Sequence, residues 1–131
     1  MSHHRETVTA EGAPEAVGPY SHAVKAAGLL FCSGQIPLDP KTGELVGETA
    51  AEQARQCLEN LIVVARAGGA ELADAVRCTV YLADMGDFAA VNEVYAEYLG
   101  ESLPARVAYG VAALPKNALV EIDAIVALPP E

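Results

Sequence analysis

The chain of 131 residues has no tryptophan and only 5% aromatic residues, although 52% of its residues are hydrophobic. Its core must therefore be built mainly from Ala, Val, Leu and Ile, which let helices and strands pack closely. No segment approaches the roughly 20 apolar residues of a membrane span, and the N-terminal residues lack the apolar segment of a signal peptide. These absences favour a cytoplasmic protein with one domain, residues 1–131.

Basic residues are also scarce: the chain has eight Lys and Arg and eighteen Asp and Glu, which give a net charge of −10. Binding to phosphate backbones depends on Lys and Arg that neutralise phosphates. Attraction to anionic membrane surfaces needs the same residues. We therefore expect neither nucleic acid nor a membrane as a partner.

Cysteines are few and widely spaced: Cys32, Cys57 and Cys78 each stand at an apolar position of the local pattern. Their odd number and spacing match neither a disulfide framework nor a metal-binding motif. We interpret them as buried free thiols, as expected in a reducing compartment.

Two segments have the periodicity of amphipathic helices. Thr49-Ala50-Ala51-Glu52 matches a capping box and predicts a helix that runs to about Ala67, before Gly68-Gly69. Asp84 predicts the start of a second helix, which ends at Gly100. The apolar stripe of this second helix, which we assign to the core, consists of Phe88, Val91, Tyr95 and Tyr98.

Strand-like segments surround the helices, and their order predicts ββαβαββ with a further short strand at the start. This order favours an α+β fold, with one mixed sheet and both helices packed on the same face. The predicted strands are residues 6–10, 22–26, 29–33, 76–82, 104–111 and 118–126.

The last two predicted strands combine charged residues with an apolar background. Arg106 begins one strand, and Glu121 and Asp123 share a face of the next, because side chains alternate along a strand. We therefore expect Arg106 and Glu121 on neighbouring strands. The opposite face of the last strand is also largely apolar, which predicts that the far side of the sheet packs against other copies of the chain.

Several short motifs occur in a fixed order along the chain: Gly18-Pro19-Tyr20-Ser21, Phe31-Cys32-Ser33-Gly34-Gln35-Ile36-Pro37, the Gly43 turn, Val91-Asn92-Glu93-Val94-Tyr95, Pro104-Ala105-Arg106, Leu114-Pro115-Lys116 and Val120-Glu121-Ile122. Together they resemble the RidA/YjgF family of enamine and imine deaminases, over nearly the whole chain. The resemblance implies a chorismate-mutase-like α+β fold, assembled as a homotrimer with active sites in clefts between subunits.

The resemblance also implies an activity: hydrolysis of 2-enamino and 2-imino acids, such as 2-aminoacrylate and 2-iminobutyrate, to 2-keto acids and ammonia. The family needs neither a cofactor nor a metal. Carried over to this chain, the arginine that binds the substrate carboxylate is Arg106, and the acid that positions water is Glu121. Tyr20, Ser33 and Asn92 match other positions around the family's cleft.

Simple chemistry supports these two assignments. A planar guanidinium binds a carboxylate through two parallel hydrogen bonds, which fixes the orientation of the bound acid. A carboxylate within one water of the imine carbon can activate that water and pass its proton to nitrogen. In contrast, we expect Asp123 to be structural and His22 to be an ordinary strand histidine.

One departure from the family stands beside Arg106. Many members have Ser-Cys there, whereas this chain has Val107-Ala108, followed by the bulky Tyr109. The backbone of Ala108 can still contact a substrate, so we expect altered selectivity with function retained. Two alternatives remain: a non-catalytic trimer that binds small carboxylates, and an endoribonuclease or translation inhibitor, which the net charge disfavours.

Overall fold

The computed structural model describes residues 4–130, which form one mixed sheet covered by two helices. Three short 3₁₀ helices, Leu72–Asp74, Met85–Asp87 and Pro115–Asn117, lie in the connections. The strands and helices, in chain order, are β1 (Glu6–Val8), β2 (Ala23–Ala26), β3 (Leu29–Gln35), α1 (Ala50–Ala67), β4 (Ala75–Leu82), α2 (Phe88–Leu99), β5 (Ala105–Gly110) and β6 (Val120–Ala127).

The predicted helix boundaries agree with the structure except at the start of α2. The capping box of α1 is present: the Glu52 N–H donates to the Thr49 hydroxyl at 3.2 Å, and the Thr49 N–H donates to the Glu52 carboxylate at 3.3 Å. The prediction that α2 starts at Asp84 is wrong, because Asp84 does not cap this helix. Its carboxylate instead accepts from the Gly86 N–H at 2.8 Å and caps the 3₁₀ turn that precedes the helix.

The strands lie in the order β1-β2-β3-β6-β4-β5. Every neighbouring pair is antiparallel except β4 and β5, which are parallel and joined through α2. The prediction that Arg106 and Glu121 stand on neighbouring strands is therefore wrong, because β4 lies between β5 and β6. Local sequence patterns mark strands but do not encode which strands pair.

Side chains on β6 alternate as predicted. Residues that point toward the helices are buried, and those that point to the other face, including Glu121 and Asp123, are half-buried. All three cysteines are buried and free, as predicted. The face away from the helices carries large exposed apolar side chains: Phe31, Val76, Val107 and Tyr109 are 36–45% exposed. This face, called the open face below, is the one predicted to contact other copies.

His22 lies directly before β2 and not within a strand as predicted, and its side chain has a structural role. Its ring is buried, its Nδ1 accepts from the Ala10 N–H at 3.0 Å, and its Nε2 lies 2.8 Å from the Pro14 carbonyl oxygen. Both ring nitrogens are thus used to hold the loop that leads to Tyr20. Across residues 4–130, no helix is long and apolar enough to cross a membrane.

Candidate active site

Arg106 extends from the edge strand β5 onto one face of α2. Its Nη1 donates to the Asn92 side-chain oxygen at 2.6 Å, and its guanidinium carbon lies 4.9 Å from the centre of the Tyr95 ring and 5.4 Å from that of Phe88. The partner on Asn92 is a neutral amide. None of the three ion pairs found in residues 4–130 includes Arg106, so its charge is not neutralised by this part of the chain.

Glu121 lines a different opening, a cavity of about 290 Å³ on the open face of the sheet. Tyr20 and Ser33 lie in the same lining. The Ser33 hydroxyl donates to the Ser21 carbonyl at 2.6 Å, and the Tyr20 hydroxyl accepts from the Val17 N–H at 3.3 Å. Both groups are used to fix the loop around the cavity, whose complete lining is Val17, Tyr20, Ser33, Gly34, Ile36, Pro115 and Glu121.

Gly34 makes room for the Glu121 carboxylate. The regular pairing of β3 with β6 is interrupted between Cys32 and Gln35, and a side chain added at Gly34 would overlap the Glu121 carboxylate. Burial, with a smaller contribution from the charge of Asp123, raises the pKa of Glu121 above its ordinary value. A raised pKa makes a carboxylate a stronger base, which favours the abstraction of a proton from a bound water.

Asp123 has the structural role predicted for it. Its carboxylate accepts from the Thr79 N–H at 3.1 Å and from the Tyr81 hydroxyl at 2.8 Å. The Tyr81 ring in turn packs edge-to-face on Tyr109, with ring centres 5.4 Å apart. This contact places the Tyr109 ring on the open face, away from the guanidinium of Arg106.

Within one chain, Arg106 and Glu121 lie on opposite faces of the sheet. Arg106 pairs with Cys78 and Glu121 pairs with Tyr81, and residues an odd number apart on one strand point to opposite faces. Asn92 and Ala108 accompany Arg106, whereas Tyr20 and Ser33 accompany Glu121. The six predicted site residues thus form two groups, called the arginine half-site and the glutamate half-site below.

Three contributors to these half-sites were not predicted from the sequence. Phe88 and Tyr95 were assigned to the core because they belong to an apolar helical stripe, yet both rings also contact the guanidinium. Gly34 was quoted only as part of a motif. Its proximity to Glu121 depends on the pairing of β3 with β6, which no local pattern reports.

The fold and the half-sites define a class of protein: a small α+β domain that offers an arginine and a carboxylate at separate openings of one sheet. More particularly, the chain belongs to the Endoribonuclease L-PSP family, the RidA/YjgF family of the sequence analysis, whose profile matches residues 10–128. This confirms the predicted family and, with the observed architecture, the α+β fold class.

Individual relatives cover almost the entire chain. A RutC family protein of Pyrococcus horikoshii is 55% identical over 92% of this chain and 96% of its own length. The 2-iminobutanoate/2-iminopropanoate deaminase of Mus musculus is 48% identical over 92% of this chain and 90% of its own. The crystal structure of RidA from Psychrobacter sp. PAMC 21119 has a TM-score of 0.90 at 44% identity, covering 94% and 99% of the two chains.

Proposed function

We propose that this protein is a deaminase that hydrolyses 2-imino and 2-enamino acids to 2-keto acids and ammonia, in sites shared between copies of a homotrimer. Arg106 of one copy binds the substrate carboxylate, and Glu121 of a neighbouring copy activates water. Family membership and the named activity of the mouse relative support the reaction type. The observation that carries the proposal is the un-neutralised guanidinium of Arg106, held by an amide and two rings.

Such a guanidinium suits a substrate with one fixed negative charge. An ion-paired arginine would have to give up its partner before it bound a carboxylate, whereas Arg106 has donors available next to its bond with Asn92. The planar group fixes the orientation of the bound carboxylate and hence of the adjacent imine carbon. Ala108, two residues further along β5, adds backbone groups beside the bound acid.

Glu121 supplies the proton transfers of the hydrolysis. As a water oxygen adds to C2 of the iminium, the Glu121 carboxylate takes the water's proton and the C=N electron pair moves to nitrogen. The same carboxyl group then returns the proton to nitrogen. The C–N bond breaks, its electron pair leaves with ammonia, and the hydroxyl proton is released as the C=O bond forms.

The sharing of sites follows from the distribution of the half-sites. Arg106 and Glu121 cannot meet around one sheet, but a neighbouring copy packed on the apolar open face can bring its arginine half-site to the cavity of the first. A head-to-tail contact of this kind closes into a ring when the rotation permits. The homotrimer that the family resemblance implies is such a ring, with three equivalent clefts.

The reaction is tested with 2-iminobutyrate generated in situ by a threonine dehydratase, with semicarbazide as the competing trap. Active protein should lower the rate of semicarbazone formation and raise the release of 2-oxobutyrate. Protein that leaves both rates at the buffer value would overturn the proposed activity. Glu121→Ala that retains full turnover would show that Glu121 is not the residue that activates water. Protein without turnover that still binds 2-oxobutyrate, and loses this binding in Arg106→Ala, would favour a non-catalytic site for small carboxylates.

Site sharing is tested by mixing two inactive variants. Arg106→Ala and Glu121→Ala chains, unfolded together and refolded, should recover activity, because roughly a quarter of the interfaces then combine an intact arginine with an intact glutamate. Each variant refolded alone is the matched control. If the mixture stays inactive while native mass spectrometry shows mixed trimers, Arg106 and Glu121 do not act together across an interface.

A ribonuclease activity is suggested by the family's description as Endoribonuclease L-PSP. The net charge of −10 opposes binding of an RNA backbone. The measurement is cleavage of a labelled single-stranded RNA by protein purified under high salt. Cleavage that persists there and disappears in Arg106→Ala would favour this second function.

A further inference from the structure

Three side chains on one face of α2 surround the guanidinium of Arg106. Phe88, Asn92 and Tyr95 are spaced four and three residues apart, which places them on one stripe of the helix. The two rings lie 5.4 Å and 4.9 Å from the guanidinium carbon, and the Asn92 oxygen lies 2.6 Å from Nη1. We call this stripe the α2 platform.

The members of the α2 platform do different things. An aromatic ring within about 6 Å attracts a cation through its negative face without donating or accepting a hydrogen bond. The rings can therefore hold the guanidinium and leave its N–H donors for a ligand. Asn92 occupies Nη1 and fixes the rotation of the group about its own axis.

The hydroxyl of Tyr95 makes no hydrogen bond within the described part of the chain that would favour a tyrosine at this position. Tyr95 is 4% exposed, and its hydroxyl oxygen is buried with no hydrogen-bond partner among residues 4–130. The Cys78 thiol and Arg106 lie close enough to influence the pKa of this hydroxyl, and the thiol is the polar group beside it. A thiol is a weak acceptor, so its proximity compensates the buried hydroxyl poorly for the loss of water, and the main benefit of this residue comes from its ring.

We infer that Tyr95, together with Phe88, is a positioning residue for the proposed reaction: the ring faces hold Arg106 in the orientation that receives the substrate carboxylate. This inference rests on the proposed function for its catalytic consequence but not for its structural one. Without the Tyr95 ring, the long side chain of Arg106 on an exposed edge strand can adopt several rotamers.

The kinetic test compares Tyr95→Phe with Tyr95→Leu. Tyr95→Phe keeps the ring and should match the parent in both kcat and KM, with an equal or higher Tm because the unpartnered hydroxyl is gone. Tyr95→Leu keeps an apolar core residue but loses the ring, and KM for 2-iminobutyrate should rise on the order of tenfold. A parental KM in Tyr95→Leu, or the same rise of KM in Tyr95→Phe as in Tyr95→Leu, would overturn the inference.

Phe88→Leu provides a second test in case Tyr95→Leu, a change in the core, folds poorly. Phe88 is only partly buried, so its replacement tests the other ring with less risk to the fold. KM should rise several-fold while the oligomeric state and far-ultraviolet circular dichroism stay unchanged. An unchanged KM in a folded Phe88→Leu protein would contradict the role of this ring.

A measurement that needs no turnover separates this inference from the proposed function. In spectra of ¹⁵N-labelled protein, the Arg106 Nε–H signal should shift in Tyr95→Leu and stay near its parental position in Tyr95→Phe, because ring currents act at this distance. An unchanged chemical shift of the Arg106 Nε–H in Tyr95→Leu would overturn the positioning role of the ring. Parent protein without deaminase activity, but with this pattern of shifts, would overturn the proposed function alone.

Discussion

Two arginines of this protein lie over tyrosine rings of the same helix, and they differ in what else holds them. Arg55, on α1, lies 5.7 Å from the Tyr98 ring and donates to the Glu97 carboxylate at 2.6 Å. Arg106 lies 4.9 Å from the Tyr95 ring and donates to the Asn92 amide, also at 2.6 Å. The distances are alike, but the partner is a carboxylate in one case and a neutral amide in the other.

This difference shows which arginine can receive an anion. The charge of Arg55 is already matched by Glu97, and both side chains are at least half exposed to water. Such surface pairs are screened and contribute little. The partners of Arg106 are two rings and a neutral amide, so a carboxylate that binds there does not have to displace an acidic side chain of residues 4–130.

Arg106→Ala should have the largest effect of any single change that tests this contrast. The substitution removes the only charged group of the arginine half-site that can bind the substrate carboxylate. The value of kcat/KM for 2-iminobutyrate should therefore fall roughly 10²- to 10³-fold. Because Arg106 is exposed on its strand, its replacement should not change the oligomeric state, which sedimentation measures. Near-parental turnover in an intact oligomer would mean that the site is elsewhere.

Asn92→Asp should make Arg106 resemble Arg55. The new carboxylate stands where the amide oxygen now accepts from Nη1 and competes with the substrate for the guanidinium. We expect KM to rise on the order of tenfold, with a smaller change in kcat.

Asn92→Ala is the matched control for this substitution, because it removes the hydrogen bond without adding a charge. It should raise KM less than Asn92→Asp does. Equal effects of the two variants on KM would show that the orientation of Arg106, and not its free charge, is what Asn92 protects.

Most of the fold could be predicted from local signals. The capping box at Thr49, the turn at Ala27-Gly28 and the alternation along β6 each report a structure within a few residues, and all three are present. The neighbour relation between β5 and β6 was wrong because strand order depends on contacts between distant segments. The helix α2 carries the chain back over the sheet, so that β5 pairs with β4 in parallel at the sheet edge.

The candidate site shows the same division. Arg106 and Glu121 were found from their charge in apolar strands, and their roles remain predictions. Tyr95 could not be recognised as a neighbour of Arg106, because a buried ring on a helical stripe has the same pattern whether or not a cation lies on its face. Its contact with Arg106 depends on the packing of β5 beside α2, which brings two distant segments together.

Thiol labelling tests whether Arg106 shares its charge with Cys78. Burial raises the pKa of the Cys78 thiol to about 11, although the Tyr95 hydroxyl and the charge of Arg106 act in the opposite direction. The thiol should therefore stay protonated at pH 8 and react with Ellman's reagent only after unfolding. Burial also raises the pKa of Cys32, to about 12, so this thiol should be equally inert.

Peptide mapping after brief labelling identifies any thiol that reacts. Rapid modification of Cys78 in the native protein would indicate a thiolate beside Arg106, and the guanidinium would then be neutralised much as Arg55 is. Slow labelling at all three cysteines, followed by full labelling in denaturant, is the expected result.

The smallest effect is expected at Arg55, where the comparison predicts almost none. Arg55→Ala should leave kcat/KM within about twofold and lower Tm only slightly, because an exposed pair contributes little to stability. Glu97→Gln is the sharper variant, since it frees the charge of Arg55 over the Tyr98 ring. If a free arginine above a tyrosine were sufficient, this variant would bind a second equivalent of 2-oxobutyrate in calorimetry. We expect no second site, because Arg106 belongs to the cleft that we propose between copies, whereas no neighbouring copy is proposed to enclose the half-exposed Arg55.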